Sequence, residues 1–211
     1  AWFAARIAYR LTGQTPGRRY APIVAAVFAA LGVLALEDYY QLILIGNVDP
    51  LIMTLTLAAV DAHLSKHPKL AFAALTLAAL GRPEVWPFAG LYAIWLWRNT
   101  DSNRTRAYAV AGVALIPLLW FGIPALTAKS WFISGDLALN SKNMLHGDRF
   151  GGVLSRFFGL FEWPMDVAAG LALVVAVIRR DRTSLVLTAA AALWVGIEIA
   201  FAYHGWSSVP R

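Results

Sequence analysis

The sequence predicts an all-α fold: a polytopic transmembrane helical bundle with short broken helices and one longer outer loop. Three observations carry this reading. Hydrophobic residues make up 59% of the 211 and charged residues 14%, with a mean hydropathy of +0.60. Apolar runs recur along the whole length with no long polar module between them. The basic residues gather in the short loops separating those runs, so the net charge of +6 reports topology and no nucleic-acid partner. The absence of cysteine excludes disulfides, thiolate metal sites and cysteine nucleophiles.

Hydropathy and helix breakers place the elements in order. Ala1–Leu11 reads as the end of a helix. Spans follow at Pro22–Leu36 and Leu42–Leu64, at the paired runs Leu70–Leu80 and Val85–Trp97, and at Ala107–Leu126, Met165–Ile178 and Ser184–Tyr203. The whole of 1–211 is expected to form a single transmembrane domain, an internal piece of a longer protein. Residues 127–163 form its outer loop.

The two paired runs are each too short to cross a bilayer, and they meet at Gly81-Arg82-Pro83-Glu84. Either they form a hairpin of half-length helices, or Leu70–Trp97 is one span kinked at Pro83. The hairpin puts every short basic loop on the same, cytoplasmic side: the one before Pro22, the one at Ser65–Lys69, the one at Arg98–Arg106 and the one at Arg179–Arg182. It is therefore preferred. About 20 Å of helix separates Lys69 from Arg82, against a hydrocarbon core of about 30 Å, so Arg82 would stop below the outer surface. Non-helical backbone at that depth must be packed in protein or line an aqueous cavity.

The preceding helix shows the same pattern. Asp49 suits an N-cap and Pro50 a first helical residue, so the helix proper runs Pro50–Leu64. Two short antiparallel helices joined at Ser65–Pro68 would then hold Asp49 and Arg82 side by side. Glu37 and Asp38 follow the first span and would join them at an outer-leaflet cavity. Each has a plainer reading: Asp49 as a cap, Arg82 with Glu84 or Asp49 as a buried structural pair, and Glu37 and Asp38 as solvated acids at a helix end.

In the outer loop, Ser134-Gly135-Asp136 and His146-Gly147-Asp148-Arg149 group polar residues, and His146 with Asp148 could contribute to a divalent-metal site. Val153–Trp163 reads as an amphipathic segment in the membrane interface, anchoring the loop or gating a lipid. Asp61 and His63 read as interfacial residues at an inner helix end, and His204 as one at an outer end. Glu198, in an apolar run, must pair with another helix or be functional. The nine tryptophans sit mostly at predicted helix ends, as an aromatic belt. No GxGxxG, P-loop, GxSxG or HExxH pattern occurs.

Several short motifs carry a family resemblance. They are Asn47-Val48-Asp49-Pro50-Leu51, Leu80-Gly81-Arg82-Pro83-Glu84, Trp86-Pro87-Phe88, Tyr92-Ala93-Ile94-Trp95-Leu96-Trp97, Trp131 with Ser134-Gly135-Asp136, and Val209-Pro210-Arg211. With the order of short spans, they resemble the multi-spanning GT-C glycosyltransferases. The likeness is to actinobacterial members related to the dolichyl-phosphate-mannose protein mannosyltransferases and aminoarabinose transferases.

That resemblance implies a polyprenyl-phosphate sugar donor, membrane lipids as surroundings, an outer-face cavity in a multi-pass protein of the bacterial plasma membrane, and inverting transfer to an acceptor hydroxyl. It puts Arg82 near the donor phosphate, with Asp49, Glu84 and Asp136 as further substrate-binding residues. The family's principal acid lies in the first outer loop, which is expected upstream of Ala1; Glu37 and Asp38 are the candidate catalytic acids within the chain. No cofactor is implied with certainty, and a divalent metal is compatible. The competing class is a non-catalytic lipid-binding or transporter-like protein using the same polar cavity.

Overall fold

The computed structural model describes residues 1–13, 19–36, 39–129, 131–132, 147–160 and 163–205. Among these the chain is helical and divides into two compact units, Ala1–Trp131 and Phe132–Arg211.

The first unit contains α1 (Trp2–Gly13), α2 (Ala21–Leu34), α3 (Tyr39–Leu44), α4 (Asp49–Leu64), α5 (Pro68–Gly81), α6 (Trp86–Arg98) and α7 (Asn103–Thr127), with a 3-10 turn at Pro83–Val85. Helix α1 packs on both α2 and α4, α4 packs on α5, and α5 packs on α6 and α7. Prolines stand in the first turn of α2, α4, α5 and α6, where no intrahelical N–H is missed.

Three side-chain contacts give the direction of the junction pair. The Trp86 indole N–H donates to the Ala79 carbonyl at 2.8 Å, Phe72 stacks on Tyr92, and Phe72 packs with Ala93 and Leu96. Position falls along α5 as it rises along α6, so Leu70–Trp97 is a hairpin and not one kinked rod. Helix α7 runs back along α5, with the Tyr108 hydroxyl donating to the Lys69 carbonyl at 3.1 Å and Trp86 meeting Trp120 and Phe121 edge-on. Ser65, Arg98 and Asn103 therefore share one end of the unit, and Asp49, Arg82 and Trp120 the other.

Small residues let these helices approach. Ala71, Ala78 and Ala79 on α5 and Ala89 on α6 have no solvent exposure, around a fully buried Phe72. The outward surface is the apolar one: Ile23, Val24, Val27, Leu31 and Leu34 of α2, and Val110, Leu118 and Ile123 of α7, are all more than half exposed. Lipid-facing helices have this inside-out pattern. Asn103–Thr127, despite Pro117 and Pro124 inside it, is long and apolar enough to cross a membrane.

The second unit contains α8 (Arg149–Phe158), α9 (Trp163–Arg179) and α10 (Arg182–Tyr203), with α8 and α9 both packed on α10. Helix α10 is also long and apolar enough to span a membrane. The amphipathic segment expected over Val153–Trp163 is thus two elements: α8 ends at Phe158 and Trp163 opens α9, while Phe161 and Glu162 lie outside the described residues. Asp148 caps α8, accepting from the Gly151 N–H at 3.0 Å, and Arg149 donates to the carbonyl of Tyr203 at the end of α10.

Asp181 caps α10. It accepts from the Thr183 N–H at 3.1 Å and from the Ser184 hydroxyl at 2.6 Å, and chiefly this hydroxyl holds its carboxyl below the ordinary 3.8. A depressed native value adds stability above the unfolded pKa and loses it as pH falls through the native one. Losing the cap through Asp181→Ala should cost about 1 kcal/mol at neutral pH. The gap between variant and wild-type melting temperatures should close on acidification below the ordinary carboxylate range. A gap that persists there would show that the ionised carboxylate is not the source of the loss.

Candidate functional site

The segment from Gly81 to Glu84 is shaped by its own residues. Pro83 excludes the helical region for the residue before it, so Arg82 is extended at φ −145° and ψ 128° and α5 stops at Gly81. Pro83 then starts the 3-10 turn that carries Glu84, and α6 follows directly. Gly81 makes a close approach: a Cβ there would overlap Ile52 Cδ1, which would have to turn aside, and come within 3.2 Å of Val48 Cγ2. Without a side chain at 81, the end of α5 lies directly against the start of α4.

The start of α4 is equally constrained. Gly46, at φ +68°, closes α3 with the Asn47 N–H donating to the Leu42 carbonyl at 2.9 Å. The N-cap of α4 is Val48 and not Asp49, which corrects the sequence expectation by one residue. The Asn47 side-chain oxygen accepts from the Asp49 N–H at 2.9 Å, so the Asp49 carboxylate has no capping to do. It pairs with Arg82 instead, Oδ1 to Nε at 3.2 Å, and both side chains are about one-fifth exposed, at 21%.

Asp49 and Arg82 are thus brought together, as the helix-length argument requires. Glu84, two residues beyond Arg82 in the 3-10 turn, is deeper, at 5% exposure, and its Oε2 is buried without a hydrogen-bond partner. Buried polar atoms are rarely left so, and such an atom in a functional pocket is commonly completed by a ligand or water. At the same end Trp86, Trp120 and Phe121 form an aromatic cluster with centroids 5.1–6.1 Å apart. Chemically the site offers a fork-shaped cation, two carboxyl groups and flat apolar surface.

The remaining expected residues fall elsewhere. Glu37, Asp38 and Asp136 lie outside the described residues, as do Ser134 and His146. Asp148 is a helix cap, and among the described residues no three His, Cys, Asp or Glu side chains group as a metal site. His204 ends α10 and is exposed. Glu198 is 1% exposed and accepts from the Trp194 indole of its own helix at 3.2 Å.

Two polar groupings went unread in the sequence. Asp61 is not the interfacial residue that the sequence predicts: it is buried and bridged by two arginines of α1, Arg6 at 3.3 Å and Arg10 at 3.6 Å. His63 shares a 2.9 Å hydrogen bond with the Tyr92 hydroxyl and meets Trp95 edge-on. A signal for the first existed: Arg6 and Arg10 are four apart on α1, and Asp61 is four before Ser65, the C-cap of α4, so each pair shares a helix face.

Compared with models of known protein families, with curated proteins and with solved structures, the chain matches none. The class of the protein therefore rests on its own composition and geometry: among the described residues the regular structure is helical, and two of the helices are long and apolar enough to span a membrane.

Proposed function

We propose that the Arg82 end of the first unit holds the phosphate of a polyprenyl-phosphate-linked sugar. The chain would serve as a membrane glycosyltransferase of the GT-C kind, crossing a bacterial plasma membrane several times and working at its outer face. The observation that carries this reading is the Asp49–Arg82 ion pair, set at the break between two half-length helices, with the unpartnered oxygen of buried Glu84 two residues on in the same break. Intramembrane ionisable groups at broken helices are the usual form of a polar-ligand site in lipid. A guanidinium matches phosphate by charge and by its planar fork.

In the reaction, an acceptor hydroxyl attacks the anomeric carbon from the face opposite the phosphate. The carbon–oxygen bond to phosphate breaks with inversion, and a carboxylate takes the hydroxyl proton. Arg82 stabilises the charge gathering on the departing phosphate. Asp49 orients Arg82, and Glu84 Oε2 accepts a sugar hydroxyl. The proton acceptor belongs to an outer-loop acid, with Glu37 and Asp38 as the candidates in this chain. A divalent metal is compatible with the reading and no step requires one.

The test is equilibrium binding of polyprenyl-phosphate sugars and of the matching polyprenyl alcohol by the purified, reconstituted full-length protein, followed by a radiolabelled transfer assay. Phosphate-dependent binding with turnover supports the transferase. Phosphate-dependent binding without turnover across a donor and acceptor panel favours the lipid-binding class. Equal affinity for the alcohol would sink the site assignment.

A further inference from the structure

The end of the first unit opposite Arg82 carries a cluster that the proposed transfer does not use. Asp61, with 7% of its side chain exposed, faces Arg6 and Arg10, whose side chains are 38% and 33% exposed. Two guanidiniums share one carboxylate, so the cluster carries an excess positive charge. Their contacts are sparse: Arg6 reaches Asp61 through one terminal nitrogen and lies 5.9 Å from the Trp2 ring, while Arg10 reaches Asp61 through Nε and Ser65 Oγ through another nitrogen. The second terminal nitrogen of each guanidinium has no protein acceptor among the described residues.

The surroundings add to the charge without neutralising it. Ser65 turns its hydroxyl back to the Asp61 carbonyl, Lys66 follows in a left-handed turn at φ +64°, and Lys69 opens α5. At this same end of the unit, Arg98 closes α6, and Arg104 and Arg106 open α7. Arg106 lies over the Trp97 ring with its Nε buried and unpartnered. Unsatisfied guanidinium donors, partly sheltered at the basic end of an apolar bundle, suit a singly charged phosphodiester whose acyl chains lie along the exposed apolar face of the neighbouring helix. Helix α2, packed on α1, provides such a face.

We infer that Arg6 and Arg10, bridged by Asp61, bind the phosphate of an anionic phospholipid headgroup at the basic end of the unit. The site is independent of the Arg82 reading, and its test does not involve a sugar donor. The purified chain is titrated with phosphatidylglycerol and with phosphatidylcholine, and bound lipid is counted by native mass spectrometry alongside the melting temperature. The wild type should prefer phosphatidylglycerol by about tenfold, with the preference shrinking as salt rises. Arg6→Gln with Arg10→Gln should abolish the preference, and Arg6→Gln alone, which keeps the Arg10–Asp61 pair for folding, should lower it about threefold. Asp61→Asn keeps both cations and should retain or strengthen it. An unchanged preference in folded Arg6→Gln overturns the inference. Melting-temperature gain from inorganic phosphate equal to that from phosphatidylglycerol would overturn the lipid as the ligand.

Discussion

Arg82→Ala should weaken binding of a polyprenyl-phosphate sugar by about a hundredfold, because it removes the charged partner of the phosphate in a partly desolvated site. The same change leaves Asp49, only one-fifth exposed, without its ion-pair partner, so some loss of stability is expected as well. The two effects separate in the double variant Arg82→Ala with Asp49→Asn. Removing the orphaned charge should return the melting temperature toward wild type while affinity stays low. Arg82→Lys keeps the charge but not the fork and should fall between. A double variant that binds donor like wild type would show that the phosphate is held elsewhere. Asp49→Asn alone should alter affinity far less than Arg82→Ala, since its role is to orient the cation.

That a single residue can be singled out in this way follows from what is local in the sequence. Gly81-Arg82-Pro83-Glu84 ends one helix, extends one residue and starts the next by rules that act between chain neighbours, so the break was readable without a fold. The lengths on either side then fixed that Asp49 and Arg82 lie at the same end of adjacent helices, and the 3.2 Å contact agrees. The N-cap of α4 was misplaced by one residue because an aspartate before proline has the composition of a cap, and only the fold shows its carboxylate turned to Arg82. Asp61 was misread for a related reason. Near a helix end a lone acid looks solvated, and its partners come from α1, more than fifty residues earlier. Composition reports where charge is tolerated, whereas pairing across helices depends on which faces meet. The matching four-residue spacing of Arg6 with Arg10 and of Asp61 with Ser65 is the part of that information the sequence does hold.

The closeness of the helices behind the site leads to the second large effect. Gly112 stands inside α7, where alanine would ordinarily gain up to about 1 kcal/mol in helix propensity. Here a Cβ would overlap Phe72 Cε1 and approach Cζ at 2.7 Å and Thr76 Oγ1 at 3.3 Å. Phe72 has no route of retreat: it is fully buried, with Ala93, Leu96 and Ala109 packed around it and Tyr92 and Tyr108 on its ring. Overpacking should therefore win over propensity, and Gly112→Ala should destabilise the chain by about 2 kcal/mol in detergent or SDS unfolding. Phe72→Leu removes the two ring atoms that the new methyl would meet. In that background Gly112→Ala should become neutral or stabilising, so the coupling energy of the cycle should be close to the whole cost of the single change. Equal destabilisation in both backgrounds would mean that α5 and α7 are not in contact at Phe72. The hairpin that presents Arg82 would then need a different support, because α7 is the helix against which both of its arms are packed.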